Sequence, residues 1–233
     1  MNSSVLKGLL AATLLMAGAS TAQAQISFGP RVGLNYTKFN LDLEGNNLFI
    51  KSRSRYGAQV GLAMNAQFGN LAVQPAVLFT MKGGKTQVKR NGSSTFGSTT
   101  INYVEIPVNL VYSTSGAEGG FQVFAGPYVG LGVGGKYYST TMFTNGFVFA
   151  FESREGDVKF ASKEGKERDK EYIRNIDAGL NLGMGYKVGG IQAQLGYGLG
   201  LSNIIPNDQD DKKPEDKVHN RGFQLSLTYF IQE

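Results

Sequence analysis

The stretch Tyr56-Gly-Ala-Gln-Val-Gly-Leu-Ala-Met-Asn-Ala-Gln-Phe68 decides the fold. Successive side chains of a strand point to opposite faces, so Tyr56, Ala58, Val60, Leu62, Met64, Ala66 and Phe68 line one side. Gly57, Gln59, Gly61, Ala63, Asn65 and Gln67 line the other. The same two-residue period recurs at 26–37, 71–82, 102–112, 121–136, 175–188, 191–202 and 222–231, which predicts eight strands. Each is long enough to cross a bilayer at a tilt.

A soluble sandwich also alternates, so the contents of the two faces decide between them. In 175–188 the apolar set Ile176, Ala178, Leu180, Leu182, Met184, Tyr186 and Val188 opposes Asn175, Asp177, Gly179, Asn181, Gly183, Gly185 and Lys187. A face of glycine, amide and charge suits the narrow interior of a small closed barrel, where a few large side chains fill the remaining space. Tyr103, Phe124, Tyr128 and Phe230 fall on that inner face. On the outer face the aromatics gather at strand ends, as interfacial girdles do. One group is Phe28, Phe68, Tyr112, Phe121, Tyr186 and Tyr229, and the other is Tyr36, Tyr56, Phe79 and Phe223.

The connections alternate in length. Gly69-Asn70, residues 113–120 and Gly189-Gly190 are short, whereas 38–54, 83–99, 137–174 and 203–221 are long. Membrane barrels keep short turns on the periplasmic side and long loops outside. The fold expected is all-β: an eight-stranded antiparallel transmembrane β-barrel, an up-and-down meander with long extracellular loops. Asn145-Gly146 in the third loop predicts a type I′ hairpin whose strands run beyond the membrane.

Composition agrees with this fold. The chain has 233 residues, 32 of them glycine, and neither cysteine nor tryptophan. That much glycine opposes helices, and the lack of cysteine excludes a disulfide framework, thiolate metal sites and a cysteine nucleophile. Residues 1–24 read as a signal peptide, with Lys7, a short apolar run and Ala22-Gln23-Ala24 as the cleavage site. The barrel domain is then 25–233, exported to the outer membrane.

Charges on the inner face must be paired or wet. By residue count Arg31 and Glu105 stand at similar heights, so the expected lumen network is Arg31 with Glu105, and Asp177 above them. The network reads as a structural plug; the alternative is a proton or ion path. Lys82, Lys85, Lys89 and Arg90 have no acidic neighbour through the second loop. A basic loop above the membrane is attracted to anionic lipopolysaccharide, so these four are the expected lipopolysaccharide contacts.

Catalytic and cofactor signals are sparse. His219 is the only histidine and has no serine or carboxylate partner that sequence identifies. Gly130-x-Gly132-x-x-Gly135 spells a dinucleotide fingerprint but lies within a strand with no helix after it. Gly84-Lys85-Thr86 lacks the earlier glycine of a phosphate loop. The carboxylates of 208–216 do not follow calcium-loop spacing. The expectation is therefore no enzyme, no cofactor and no metal. The net charge of +5 on an exported chain does not point to nucleic acid.

Ordered along the chain, Arg31-Val-Gly-Leu-Asn-Tyr-Thr, Tyr103-Val-Glu-Ile-Pro-Val, Gly126-Pro-Tyr-Val-Gly-Leu-Gly, Asp177-Ala-Gly-Leu-Asn-Leu-Gly and Tyr197-Gly-Leu-Gly resemble the PorT-like outer-membrane β-barrel family. The resemblance implies a barrel in the outer membrane and carries no catalytic residue; one namesake is tied to protein secretion. Asn220-x-Gly222-x-x-Leu225-x-Leu227 resembles the signal read by the barrel-assembly machinery, with the terminal aromatic, Phe230, displaced from the end. Three roles follow: a structural or surface-interaction protein acting through its loops, a small pore or part of a transport or secretion assembly with an unknown partner, and a membrane-embedded enzyme built around His219.

Overall fold

The computed structural model describes residues 25–42, 49–90, 93–144, 149–163, 170–208, 210 and 212–231. The residues read as a signal peptide, 1–24, and the Asn145-Gly146 turn lie outside them. The strands are β1 (Gln25–Asp42), β2 (Phe49–Arg53), β3 (Arg55–Phe68), β4 (Leu71–Arg90), β5 (Ser93–Ser113), β6 (Gly119–Thr144), β7 (Phe149–Phe160), β8 (Glu171–Ile173), β9 (Ile176–Val188), β10 (Ile191–Gly200) and β11 (Lys217–Tyr229). Eight of them form a ring in the order β1-β3-β4-β5-β6-β9-β10-β11, every neighbour antiparallel. The ring closes where β1 pairs with β11, from Arg31 opposite Thr228 to Asp42 opposite Lys217.

Burial follows the period of two. Outward residues Ile26, Phe28, Val32, Leu34 and Tyr36 of β1 are exposed, while Ser27, Arg31, Asn35 and Thr37 are buried. An exposed apolar face is stable only against lipid. From Ile26 to Tyr36 the strand runs about 34 Å, which at a tilt of about 40° spans about 26 Å, close to the apolar band of an outer-membrane barrel. Both aromatic girdles are in place. Phe28, Tyr112, Phe121, Tyr186 and Tyr229 stand exposed at one end, and Tyr36, Tyr56, Phe79 and Phe223 at the other. In the second girdle the Tyr36 and Tyr56 rings lie 4.8 Å apart.

The turns at the periplasmic end are tight, with Gly69 (φ 58°) and Gly189 (φ 54°) taking left-handed backbone that other residues resist. At the opposite end the expected loop 83–99 is a strand pair instead: β4 runs on to Arg90, and β5 starts at Ser93. β6 likewise continues to Thr144 and pairs with β7, while β2 pairs with β4. Beyond the membrane the wall is therefore an open sheet, β2-β4-β5-β6-β7, whose backbone hydrogen bonds need no lipid cover.

The remaining extracellular segments fold over the mouth. Phe39, Ile101, Tyr103, Val158, Ile173 and Ile204 form a buried apolar cluster, joined by Leu41, Phe160 and Val218. β8 pairs in parallel with the end of β7, which sends Val158 and Phe160 inward. Gly132 admits the Phe160 ring, which any Cβ there would overlap. Arg174 N donates to Ile204 O (2.8 Å) and Ile204 N to Val218 O (2.9 Å), so the third and fourth loops are tied together as one cap.

Two predictions follow from the cap. Gly132→Ala pushes Phe160 out, costing about 1–3 kcal/mol by overpacking, and trypsin then cuts at Lys159 or Lys163 at least several-fold faster than in the wild type. Glu171 accepts the Thr99 hydroxyl at 3.0 Å, and burial raises its carboxyl above the usual carboxylate range, opposed by that hydrogen bond. A raised folded-state value means that this stability is present below the unfolded value and is lost as pH rises through the folded one. Amide protection in 158–163 and 170–173, taken relative to the intrinsic exchange rate at each pH, should therefore fall as pH rises through the carboxyl's titration, and Glu171→Gln should remove that pH dependence.

Candidate functional site in the barrel lumen

Below the cap, three charged side chains meet on the barrel axis. Lys82 of β4 sends its Nζ to Asp177 Oδ2 at 3.1 Å and into a closer ion pair with Glu105. All three are nearly sealed from solvent, with Lys82 4%, Glu105 1% and Asp177 0% exposed. Lys82 Nζ also lies 4.0 Å from the Tyr128 ring centroid. Asp177 is held from several strands: Asn220 Nδ2 donates to it at 3.2 Å, Tyr128 OH at 3.4 Å and Ser202 Oγ at 3.4 Å. Asn220 Nδ2 also donates to Tyr103 OH at 3.2 Å. One cation thus bridges two carboxylates, and Arg31, buried lower down, makes the four-charge set neutral.

Arg31 does not reach Glu105. Its Nη2 donates to Ser226 Oγ at 2.8 Å, and it stays within the electrostatic field of Glu105. Equal residue counts do not put Arg31 and Glu105 at equal heights, because closing a tilted barrel staggers its strands. Glu105 and Asp177 do come together, but through Lys82. Lys82 itself corrects the expectation of a lipopolysaccharide contact: it shares the inward phase of Ala72, Gln74, Ala76, Leu78 and Thr80 on β4 and is buried in the lumen. The period of two from Ala72 to Lys82 carries that phase in the sequence, and the run of basic residues after Lys82 belongs to the extracellular extension. Lys85 and Lys89 are exposed on the extracellular extension of β4, and the Arg90 side chain lies outside the described residues.

The lumen is closed again nearer the periplasm. Phe230 packs with Ala63, Ala76 and Leu78, and Phe124 packs with Ala72 and Val111. An amide belt then crosses the barrel. Gln74 Nε2 donates to Asn65 Oδ1 (2.8 Å), Gln192 Nε2 to Gln122 Oε1 (2.6 Å) and to Gln74 Oε1 (3.4 Å), and Gln122 Nε2 to Ser113 Oγ (2.7 Å). Below it a cavity of about 470 Å³ opens at the periplasmic mouth, beside Lys187, Glu118 and Gln67. Charge cluster, aromatic plugs and amide belt fill an interior that eight strands leave just wide enough for side chains.

Outside the lumen, His219 lies on β11 rather than in a loop, and its Nδ1 meets the Ser202 carbonyl oxygen at 2.9 Å. A carbonyl only accepts, so that nitrogen carries the proton. In the fourth loop, Asp208 Oδ1 accepts from Lys212 N at 2.8 Å, closing a local turn.

Residues 20–206 match the family model of the outer membrane protein beta-barrel domain, and the chain belongs to that family. It is an integral β-barrel of the outer membrane. Among solved structures it is similar to Neisserial surface protein A, at 14% identity, covering 87% of this chain and 96% of that one with a TM-score of 0.39. It is also similar to the outer membrane protein OprG from Pseudomonas aeruginosa, at 14% identity, covering 91% of this chain and 99% of that one with a TM-score of 0.35. No curated protein sequence matches it.

Removing one partner of a buried ion pair leaves an uncompensated charge, which costs about 3–5 kcal/mol. Asp177→Asn should therefore lower the urea midpoint, read by the heat-dependent gel shift of the folded barrel, more than Glu105→Gln, because Asp177 also anchors Tyr128, Asn220 and Ser202. Adding Lys82→Met to Asp177→Asn should recover much of the loss, since Arg31 and Glu105 are then the charges left in this set and they balance.

Proposed function

We propose that this barrel is a closed, non-enzymatic scaffold of the outer membrane that acts through its extracellular sheet and cap, within the PorT-like group of barrels. The observation that carries this reading is the lumen, blocked in succession by the cap, the Lys82–Glu105–Asp177 cluster, Phe124 with Phe230, and the amide belt. The PorT-like resemblance gains support from where its motifs fall. Arg31, Tyr103, Glu105, Tyr128 and Asp177, drawn from four of the five motifs, are all inward and buried. Against an enzyme stands the engagement of the one imidazole by a backbone carbonyl. The surface role includes contact of Lys85 and Lys89 with lipopolysaccharide phosphates, and biogenesis includes recognition of β11 by the barrel-assembly machinery.

A polar lumen also suits a small pore or a component of a transport or secretion assembly, and conductance separates the two readings. Folded protein in a planar bilayer should give no discrete steps, and Glu105→Gln should lower stability without opening a channel. Reproducible steps from the wild type would replace the scaffold with a pore.

A further inference from the structure

The outer wall carries a groove at the point where lipid gives way to solvent. β5 and β6 change register between Asn102/Gly134 and Tyr103/Gly132, leaving Val133 as an extra residue. Such a bulge bends the sheet and increases its twist. Here the bend makes a concavity of about 800 Å³, lined among others by Arg55, Met81, Asn102, Lys136, Glu155 and Asp157. The register places Met81, Asn102, Lys136, Tyr138, Glu155 and Asp157 outward: Met81 pairs with Asn102, Lys136 with Asp157, and Tyr138 with Glu155. Arg55, at the start of β3 opposite Thr37, reaches this face through its guanidinium. Immediately below, Phe79, Leu131 and Val133 present exposed apolar surface to the membrane.

Two buried polar atoms beside the groove lack a hydrogen-bond partner. Arg55 uses Nη1 on Ser98 Oγ at 2.9 Å, which leaves its Nε unpartnered, and Asn102 Oδ1 is unpartnered as well. Unsatisfied buried groups are costly unless something supplies the bond. The groove thus offers two cations that suit a phosphate, and carboxylates and an amide oxygen that accept hydroxyl groups. Tyr138 adds a half-exposed aromatic ring, and an aliphatic shelf lies beneath. That set matches one amphiphile, a phosphorylated sugar bearing acyl chains.

We propose that this groove binds the phosphorylated glycolipid of the outer leaflet. Arg55 and Lys136 hold a phosphate, Glu155, Asp157 and Asn102 accept sugar hydroxyls, and the acyl chains lie along Met81, Val133 and Phe79. The proposal deepens the surface role above and gives it a site other than Lys85 and Lys89.

The test uses the full folded barrel in nanodiscs, with folding of every variant confirmed by heat-dependent gel shift. Native mass spectrometry follows retention of deep-rough lipopolysaccharide, its enzymatically dephosphorylated form, phosphatidylglycerol and inorganic phosphate. Arg55→Gln with Lys136→Gln should weaken lipopolysaccharide retention about tenfold and abolish the preference over the dephosphorylated form. Glu155→Gln with Asp157→Asn should weaken both glycolipids and leave phosphatidylglycerol unchanged. Lys85→Gln with Lys89→Gln should leave the groove's preference intact. Unchanged retention in the Arg55 and Lys136 variant overturns the groove, and the Lys85 and Lys89 reading then survives only if its own variant loses binding. Phosphatidylglycerol retained as tightly as lipopolysaccharide, or inorganic phosphate displacing it fully, overturns the sugar-specific part.

Discussion

Everything in this molecule depends on the absence of water at the bilayer centre. A peptide group there has only other peptide groups to bond, so a sheet must close on itself. The pairing of β1 with β11 supplies that closure. Once the wall is continuous, the pleat decides the rest: alternate side chains face lipid, and their neighbours face a lumen about two side chains across. Apolar residues are exposed and polar residues buried, the reverse of a soluble protein, with no conflict between the local pattern and the global fold.

A narrow lumen turns polarity into a packing problem. Lys82 cannot be left alone at 4% exposure, and it is stabilised by two carboxylates and the Tyr128 ring together. Each carboxylate enters from a different strand, Glu105 from β5 and Asp177 from β9, so the cluster braces the ring across its diameter. The amide belt braces it again with neutral groups from five strands. Such cross-lumen bonds resist the flattening to which a hollow cylinder of strands is prone.

The membrane-spanning part was legible because its period-two signal has no competitor. The eight ring strands, the inward placement of Tyr103, Phe124, Tyr128 and Phe230, and the two aromatic girdles could all be read from alternation. The sheet above the membrane could not. Residues 93–99, mostly Ser, Thr and Gly, carry no apolar face and resemble a loop until the ladder is seen. Cross-lumen partners were half legible: the inner face names the candidates, but strand stagger decides who meets whom, and it gave Glu105 to Lys82 rather than Arg31. The cap and the groove depend on parallel pairing of β8 and on one extra residue at Val133, neither of which has a compositional mark.

The seam between β1 and β11 has one more consequence. Ile231 N reaches Phe28 O at 2.8 Å, so both ends of the barrel chain arrive at neighbouring points on the same rim. The ring does not record where synthesis begins. A gene rewritten to join these ends through a short periplasmic linker and to start between β4 and β5 would encode the same cylinder, with every strand of the ring keeping its neighbours. What distinguishes the natural order is then kinetic: it leaves the closure of the wall to a pairing between the first and the last strand of the ring.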